Sequence, residues 1–397
     1  PRPLCAPSRR GARLTEGETM DIAALPFDAD EMLAGLRPWV ECESPTWDAA
    51  AVNRMMDLAS RDLAIMGASI ERIPGRMGLG DSVRARFPHP RAGEPGILIL
   101  GHLDTVHPVG TLARLPFRRE GELCYGPGIF DMKGGNYLTL VAIRVLARAG
   151  IETKLPITVM FTPDEEIGTP SVRDLIEAEA ARAKAVLVPE PGKPGGGVTS
   201  GRYAIARFDL AATGKPSHAG ARLSEGRSAI REMAKRILEI DAMTTEDCTF
   251  SVGVVHAGRW VNCVASRAEA EALSMAKRQE DLDRGVEAML SLTDTGENSG
   301  VAFEVTRGVT RPVWEPDAGT HRLLDVAKGF HEALGLGFRH ESSGGGSDGN
   351  FTGALGVPTL DGLGVEGDRA HTLEEHIRVE SLAVRGKVFA GLLAAID

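Results

Sequence analysis

The sequence predicts an α/β fold that carries an inserted, ferredoxin-like α+β domain. Between residues 96 and 190, apolar strands alternate with amphipathic helices, and polar residues follow the strands. Beyond residue 197 the predicted order becomes β-α-β-β-α-β, which is typical of a ferredoxin-like domain, before the alternation returns. We therefore predict a poorly ordered leader over residues 1–26, a first domain over residues 27–198 and 313–397, and an inserted domain over residues 199–312.

The first domain is predicted to begin with two helices and to continue as strands and helices in turn. In residues 27–40, Met32, Leu33, Leu36 and Val40 recur at helical spacing, and residues 50–66 show the same periodicity. Strands are predicted at residues 69–73, 82–87, 96–100, 155–161 and 185–188, a hairpin at 117–125, and helices at 137–149 and 171–183.

A linker rich in glycine and proline, residues 191–197, separates this region from the inserted domain. Within the inserted domain we predict strands at residues 204–213, 249–256, 269–276 and 301–306, and helices at 227–243 and 280–292. The return to the first domain is predicted to contain a helix at 321–334, a strand at 357–360 and a closing helix at 379–395.

Composition excludes several classes of protein. The chain is 43% hydrophobic and 25% charged, which is ordinary for a protein with a sizeable core. A net charge of −10 argues against a nucleic-acid partner, and no apolar run is long enough to span a bilayer. The five cysteines are scattered and form no C-x-x-C pair, so we expect a reduced, cytoplasmic protein.

Histidine and acidic residues follow the predicted strands. His102 and Asp104 come at the end of the apolar run 97–100, and an imidazole can bind a metal while donating its other N–H to a carboxylate. The later members of this set are Asp131, Glu165, Glu166, Glu190 and His371. Imidazole and carboxylate ligands suit zinc, manganese or cobalt, and this set would hold two divalent ions close together.

Each of these residues also has an ordinary structural interpretation. Acidic residues before a helix are favoured by the helix dipole, glycine-rich loops are usually turns, and a single histidine is usually structural. Their joint occurrence, each after an apolar strand, favours a metal site instead. Neighbours on an extended chain point in opposite directions, so one of Glu165 and Glu166 would bind metal while the other acts as general base.

The motifs together resemble those of the M20 metallopeptidase family, which includes glutamate carboxypeptidases, acetylornithine deacetylases, succinyl-diaminopimelate desuccinylases and aminoacylases. The resemblance runs from about residue 27 to the end of the chain. It rests on Gly-His-Leu-Asp-Thr-Val at 101–106, Tyr-Gly-Pro-Gly at 125–128, Asp-Met-Lys-Gly-Gly at 131–135, Asp-Glu-Glu-Ile-Gly at 164–168, Pro-Glu-Pro-Gly at 189–192, Ser-His-Ala-Gly at 217–220 and Ala-His-Thr at 370–372.

The resemblance implies a metal-dependent exopeptidase-like catalytic domain with one or two divalent ions. His102 and His371 would each bind a different ion, Asp131 would bridge them, and Glu166 and Glu190 would complete the two sites. The Asp131–Met132 peptide is often cis in this family.

The same resemblance implies roles around the ions. Glu165 would be the general base, and Asp104 would orient His102. The inserted domain would be a lid and dimerisation domain whose His218 stabilises the oxyanion in the partner subunit of a homodimer. Asn262, Arg311 and the loop containing Gly345 and Gly346 would line the substrate subsite.

One departure from the family pattern bears on the substrate. Where the glutamate carboxypeptidase branch carries an arginine in the strand at 269–276, this chain has Met275. We therefore expect a hydrolase that cleaves the amide of another small carboxylate-bearing molecule. The alternatives are a hydrolytic deaminase of an activated aromatic amine such as 5-nitroanthranilate, and a catalytically silent binding protein of the same family.

Overall fold

The structure is a computed structural model that describes residues 20–397. Helix α1 (Ala29–Glu41) begins where Asp28 accepts hydrogen bonds from the N–H groups of Asp30 and Glu31, and helix α2 (Ala49–Ile65) is capped by Asp48. The chain continues through β1 (Ser69–Ile73), β2 (Ser82–Arg86), β3 (Gly96–His102), β4 (Arg118–Glu120), β5 (Leu123–Tyr125), α3 (Gly134–Ala149), β6 (Ile157–Thr162), α4 (Arg173–Ala180), β7 (Ala183–Leu187) and β8 (Gly197–Arg202).

A run of long antiparallel strands follows. Its elements are β9 (Ala204–Thr213), α5 (Ala229–Asp241), β10 (Cys248–Ala257), β11 (Arg267–Ala276), α6 (Gln279–Ser291) and β12 (Ala302–Arg311). The chain ends with α7 (Ala318–Ala333), β13 (Arg339–Ser343), α8 (Gly349–Ala354), β14 (Thr359–Leu360), β15 (Gly367–Asp368), β16 (His376–Arg378) and α9 (Val379–Ala395).

The chain divides into two compact units. Within the described residues, the first comprises 20–200, 316–341 and 347–397, and the second comprises 201–315 and 342–346. Our sequence-based domain boundaries, 199 and 312, lie near these limits, but the short segment 342–346 was not anticipated. Strands β8 and β13 form a two-stranded ribbon, and the limits of the two units fall inside it.

The first unit is built on a six-stranded mixed sheet in the order β1-β2-β6-β3-β7-β14. Strands β6, β3, β7 and β14 run parallel, whereas β1 and β2 form an antiparallel edge. Ile97 and Ile99 of β3 pack with helices α1, α3 and α9, while Leu98 and Leu100 pack against α4 and α8 on the other face. Both faces are therefore covered, as expected of parallel strands, and the predicted α/β class is confirmed.

The second unit has the predicted ferredoxin-like arrangement. Its elements follow the order β-α-β-β-α-β, and its antiparallel sheet has the order β10-β11-β9-β12. Helices α5 and α6 bury Met233, Leu282 and Met289 against alternate residues of β9, such as Phe208. The opposite residues of β9 are more exposed, which is the usual pattern of a sheet with one covered face.

Segment 20–26 and helix α4 in the first unit differ from the sequence-based expectations. The segment 20–26, expected within a leader, forms a 3-10 turn at Ile22–Ala24, and Ile22 and Leu25 are buried in the core because they are apolar. The rest of the expected leader, residues 1–19, lies outside the described residues. Helix α4 is also shorter than the predicted 171–183, since β7 already begins at Ala183.

Among residues 20–397, no helix combines the length and the apolar character needed to cross a membrane.

Candidate metal centre

Strand β3 delivers His102 to the carboxyl edge of the parallel strands. The strand is anchored by buried apolar residues, and it ends at His102, whose side chain is 1% exposed. The two ring nitrogens have different partners. Nδ1 lies 3.0 Å from the Asp104 carbonyl and 3.3 Å from its Oδ1, whereas Nε2 lies 3.2 Å from Asp131 Oδ1 and 3.8 Å from Glu190 Oε1. Asp104 therefore orients the ring, and Nε2 faces the other carboxylates.

Asp104 lies at the junction of several segments. Its Oδ2 accepts a hydrogen bond from Thr46 Oγ1 at 2.7 Å and one from the N–H of Glu166 at 3.2 Å. Its Oδ1 accepts one from the N–H of Glu165 at 3.2 Å. One buried carboxylate thus positions both the histidine at the end of β3 and the two glutamates that follow β6.

Asp131 lies between the two histidines. Its Oδ1 is 3.2 Å from His102 Nε2, and its Oδ2 is 3.2 Å from His371 Nε2. The residue belongs to a distorted π-helical turn, Ile129–Lys133, directly before α3, and the Asp131–Met132 peptide is cis. The two carboxylate oxygens point to different histidines, which is the arrangement a bridging ligand requires.

Glu166 and Glu190 each lie next to a histidine, and the two histidines are different. Glu166 Oε2 is 3.2 Å from His371 Nε2, so this glutamate belongs with His371, whereas Glu190 belongs with His102. The expectation of an extended chain at residues 165–166 is wrong, because Glu165–Ile167 form a one-turn 3-10 helix. Both glutamates still reach the centre.

The donor atoms are close enough to share an ion. One ligand atom each from His102, Glu165 and Glu190 lies within 4.8 Å of the other two, and the same holds for His102, Asp131 and Glu166. Two overlapping groups that share one histidine, together with His371, provide the mixed imidazole and carboxylate ligands that zinc, manganese and cobalt accept.

The electrostatics of the centre favour a bound cation. Burial, opposed by the contact with His371, raises the pKa of Glu166 to about 8, and burial reinforced by the charge of Asp131 raises the pKa of Glu190 well above its usual range. Contacts with Asp131 and Glu166 raise the pKa of His371 to about 11. Burial alone would lower the pKa of His102, yet Asp104 and Asp131 raise it well above its usual value.

These shifts have one physical cause. Several carboxylates are buried side by side, and only protons on the carboxylates and histidines compensate their mutual repulsion. A divalent cation would supply that compensation in place of the protons. The residues therefore fit divalent ions.

Sequence reasoning missed several residues that support the centre. Asn136 donates a hydrogen bond from Nδ2 to the carbonyl of His102 at 2.6 Å, and Thr46 holds Asp104. Glu375 accepts hydrogen bonds from the backbone beside Asp131. Thr46 and Glu375 lie far along the chain from the groups they contact, and no local pattern marks them. Asn136 follows the Asp131 motif closely and could have been considered.

The second unit holds the other sequence-predicted site residues, in two groups. His218 and Asn262 lie on neighbouring segments, where His218 pairs with Cys263 in a β-bridge and the N–H of Ala219 donates to the Asn262 carbonyl at 2.9 Å. Arg311, only 4% exposed, ends β12 next to Gly346. The carbonyls of Gly345 and Gly346 accept hydrogen bonds from Arg202 Nη1 at 2.8 and 3.3 Å.

A family model described as peptidase family M20/M25/M40 matches residues 98–395. This range contains the described donor residues from His102 to His371. Carboxypeptidase G2 from Pseudomonas sp. (strain RS-16) is 32% identical over 371 residues, which cover 90% of this chain and 87% of the relative. A succinyl-diaminopimelate desuccinylase from Thioalkalivibrio sulfidiphilus is 24% identical over 321 residues, 75% of this chain and 83% of that protein.

Solved structures show the same fold. The aminopeptidase PepT from Bacillus cereus superposes with a TM-score of 0.71 at 22% identity, covering 93% of this chain and 99% of that structure. The YXEP protein of Bacillus subtilis, described as a dinuclear metal-binding peptidase of family M20, gives a TM-score of 0.65 at 19% identity, with coverage of 92% and 97%. The chain therefore belongs to peptidase family M20/M25/M40 and is a hydrolase of the kind that acts on carbon–nitrogen bonds.

Proposed function

We propose that this chain is a two-metal amidohydrolase that releases a small carboxylate-bearing product by cleaving an amide. The observation that carries the proposal is the position of Asp131, whose two oxygens each lie 3.2 Å from a different histidine nitrogen. In this proposal His102 and Glu190 hold one ion, His371 and Glu166 hold the other, and Asp131 bridges them. Zinc, manganese and cobalt all suit these ligands.

Ions bound there would polarise the substrate carbonyl and lower the pKa of a water molecule. Glu165 is the general base. It accepts the proton of the attacking water and then donates it to the nitrogen of the leaving group, so that the amide C–N bond breaks and a carboxylate and an amine form. The hydrogen bond from its N–H to Asp104 Oδ1 supports this role, because it fixes the backbone from which Glu165 reaches the donor group of His102 and Glu190.

The substrate class follows from the second unit and from the relatives. We propose that Arg311 pairs with a substrate carboxylate in a subsite lined by Gly345 and Gly346, and that Asn262, which lies in the other group beside His218, also contacts the substrate. Met275, in β11 opposite Ile205 and Thr249, carries no charge and cannot pair with a second carboxylate. We therefore favour N-acyl amino acids and short peptides with an uncharged terminal side chain over substrates that end in glutamate.

The experiment that tests the proposal is an activity panel. The purified protein is treated with EDTA, reloaded separately with Zn²⁺, Mn²⁺ or Co²⁺, and given N-acyl amino acids, short peptides and aminobenzoates. Metal-dependent release of free amino acid is expected. Release of ammonia from arylamines without release of amino acid would replace the proposal with aromatic deamination, and a chain that binds metal yet hydrolyses nothing would support a silent binding protein.

We also propose that the protein is a homodimer formed through the second unit, and that His218 of one subunit stabilises the oxyanion formed in the other. His218 Nδ1 accepts hydrogen bonds from the N–H groups of Gly220 and Ala221 at 3.2 and 3.1 Å, which leaves Nε2 to carry the proton. Light scattering is expected to show a dimer, and His218→Ala should lower kcat. A strictly monomeric, active protein would rule out the role of His218 across subunits.

A further inference from the structure

Glu375 is a buried carboxylate to which the proposed reaction gives no role. It lies in the turn between His371 and β16 and is 1% exposed. Its Oε1 accepts hydrogen bonds from the N–H groups of Phe130 and Asp131 at 2.9 and 3.0 Å. Its Oε2 accepts one from the N–H of Gly128 at 2.9 Å and lies 2.7 Å from His107 Nε2.

These four contacts replace the water that a carboxylate loses on burial. Three come from consecutive parts of the loop that carries Asp131, and charge-assisted bonds to backbone N–H groups are among the stronger hydrogen bonds in proteins. The same loop also contacts the backbone of Glu375, because the N–H of Gly126 donates a hydrogen bond to the Glu375 carbonyl at 3.3 Å. The Glu375 carboxylate therefore hydrogen-bonds to the backbone of Asp131 itself and of two residues just before it.

Glu375 is equally fixed to the segment that carries His371. Its N–H donates to the Thr372 carbonyl at 3.3 Å, and the next residue, His376, pairs with Tyr125 in the small sheet of β16 and β5. Arg369 and His371 have φ values of 62° and 65°, in the left-handed region that non-glycine residues rarely adopt. Such a conformation persists only where the surroundings hold it.

We propose that Glu375 is a positioning residue that sets the spacing between Asp131 and His371, so that both can contact the same ion. The inference rests on the proposed two-metal centre. One carboxylate holds the Asp131 loop through its side chain and the His371 turn through its own backbone. Strands β5 and β16 pair next to these two segments, and Glu375 hydrogen-bonds to both of them.

Substitution of Glu375 has a clear chemical consequence. Each oxygen of the Glu375 carboxylate accepts at least one backbone N–H. In Glu375→Gln one of these oxygens becomes an NH2 group, which then faces an N–H donor and cannot accept its hydrogen bond. Glu375→Asp keeps the charge but is one methylene shorter, so the carboxylate withdraws from the loop. Glu179→Gln is a matched control, because Glu179 is a buried carboxylate, 8% exposed, whose partners are Arg84 and Arg86.

The experiment measures metal binding rather than turnover. EDTA-treated parent, Glu375→Gln, Glu375→Asp and Glu179→Gln are titrated with Zn²⁺ by calorimetry, and the Co²⁺-loaded forms are compared by electronic absorption. Circular dichroism checks that each variant is folded. Both Glu375 variants are expected to lose at least about tenfold in affinity for one of the two ions and to change the Co²⁺ spectrum, as substitutions of residues that support metal ligands do. Glu179→Gln should bind like the parent, whatever its thermal stability.

Parent-like affinities and Co²⁺ spectra in folded Glu375 variants would overturn the inference, as would an equal loss of affinity in Glu179→Gln. If Glu375→Gln does not fold, Glu375→Asp decides the question by the same two measurements. A parent protein that binds no Zn²⁺ at all would remove the metal centre itself and the positioning role with it. That result is distinct from a parent that binds two ions and variants that bind them equally well.

Discussion

Asp104 shows how much one buried side chain can determine. It faces Nδ1 of His102, receives the hydroxyl of Thr46 and accepts the N–H groups of both Glu165 and Glu166. A proposed ligand of each ion and the proposed general base therefore share a single hydrogen-bonding partner. We therefore expect the negative charge of Asp104 to matter more for metal binding than the size of its side chain.

We expect Asp104→Asn to weaken Zn²⁺ binding by about 10- to 100-fold, because an amide NH2 would face backbone N–H donors or the His102 ring. Calorimetric titration of the EDTA-treated variant measures the effect. Thr46→Val is the milder companion, since it removes one donor and leaves the carboxylate in place. Equal effects of the two substitutions would show that charge at Asp104 is not the controlling feature.

Glu165→Gln separates proton transfer from metal binding. Loss of a general base lowers kcat by about 10²- to 10⁴-fold, while the ions remain held by the other donors. Activity on whichever amide the panel identifies, together with metal content, tests this. Glu166→Gln should lose activity and metal together. Unchanged turnover in Glu165→Gln would contradict the hydrolytic role of this residue and favour the silent binding protein.

The residues of the centre were largely predictable from sequence, and their supports were not. His102, Glu166 and Glu190 follow strands β3, β6 and β7, whose apolar patterns are visible in the sequence, so their convergence at one sheet edge could be predicted. The contact between His107 and Glu375 joins residues separated by 268 positions. Such a pairing is fixed by tertiary packing and leaves no trace in local periodicity.

At the scale of elements, helix α3 begins earlier than its sequence predicts. The sequence predicts that this helix begins at residue 137, yet it starts at Gly134. Glycine is needed here because of close approach: a Cβ on Gly135 would lie 1.8 Å from the carbonyl oxygen of Pro189. The first turn of α3 therefore packs directly against the backbone that leads to Glu190.

Gly135→Ala tests this close contact between the first turn of α3 and the backbone of Pro189. The obstacle is backbone, which cannot rotate away, so we expect a loss of about 1–3 kcal/mol in the free energy of unfolding and weaker Zn²⁺ binding. Gly329→Ala in α7 is the control, because a Cβ there meets nothing within 4 Å, and it should be neutral or stabilising by about 0.4–1 kcal/mol. Urea denaturation of the metal-free proteins measures both, and equal stabilities would refute the close-packing argument.

Short strands were the elements that sequence reasoning placed least well. The predicted hairpin at 117–125 exists as β4 and β5, but β5 also pairs with β16, from residues 376–378, which in turn pairs with β15, from residues 367–368. Strands of two or three residues carry too little alternation to be recognised. They become strands because distant backbone groups are available for pairing.

For the whole molecule, we expect the stabilisation that a bound metal ion gives to the folded protein to increase with pH. Without metal, the pKa of Glu166 is raised to about 8 and that of His371 to about 11, so the folded state holds these protons more tightly than the unfolded state. Stability of the metal-free protein therefore falls as pH rises above 4.5 for Glu166 and above 6.5 for His371. A bound ion would replace these protons, so the protein with metal would not lose stability in this way as pH rises.

The measurement is thermal unfolding with saturating Zn²⁺ and with EDTA at pH 6, 7 and 8. The difference in Tm between the two conditions should grow with pH, since metal competes with protons for the same groups. A difference that stays constant or shrinks over this range would contradict the titration of these ligands. Glu166→Gln should flatten the dependence.

In the sequence the predicted order of elements changes after residue 197 and again after residue 312, and the limits between the two units lie at residues 200 and 316. What sequence could not supply was segment 342–346, which joins the second unit although the residues on both sides belong to the first. Its glycines carry no apolar pattern that would assign them to either core.

The second unit interrupts the metal centre in sequence, between Glu190 and His371. A ribosome therefore delivers His102, Asp131, Glu166 and Glu190 long before it delivers the last donor and Glu375. Strand β14 and helix α9, which complete the sheet and core of the first unit, are also made last. In the proposed two-metal centre, ion binding would consequently be a late event in biosynthesis, and a nascent chain stalled after the second unit would expose four of the five proposed donors with unmatched negative charge.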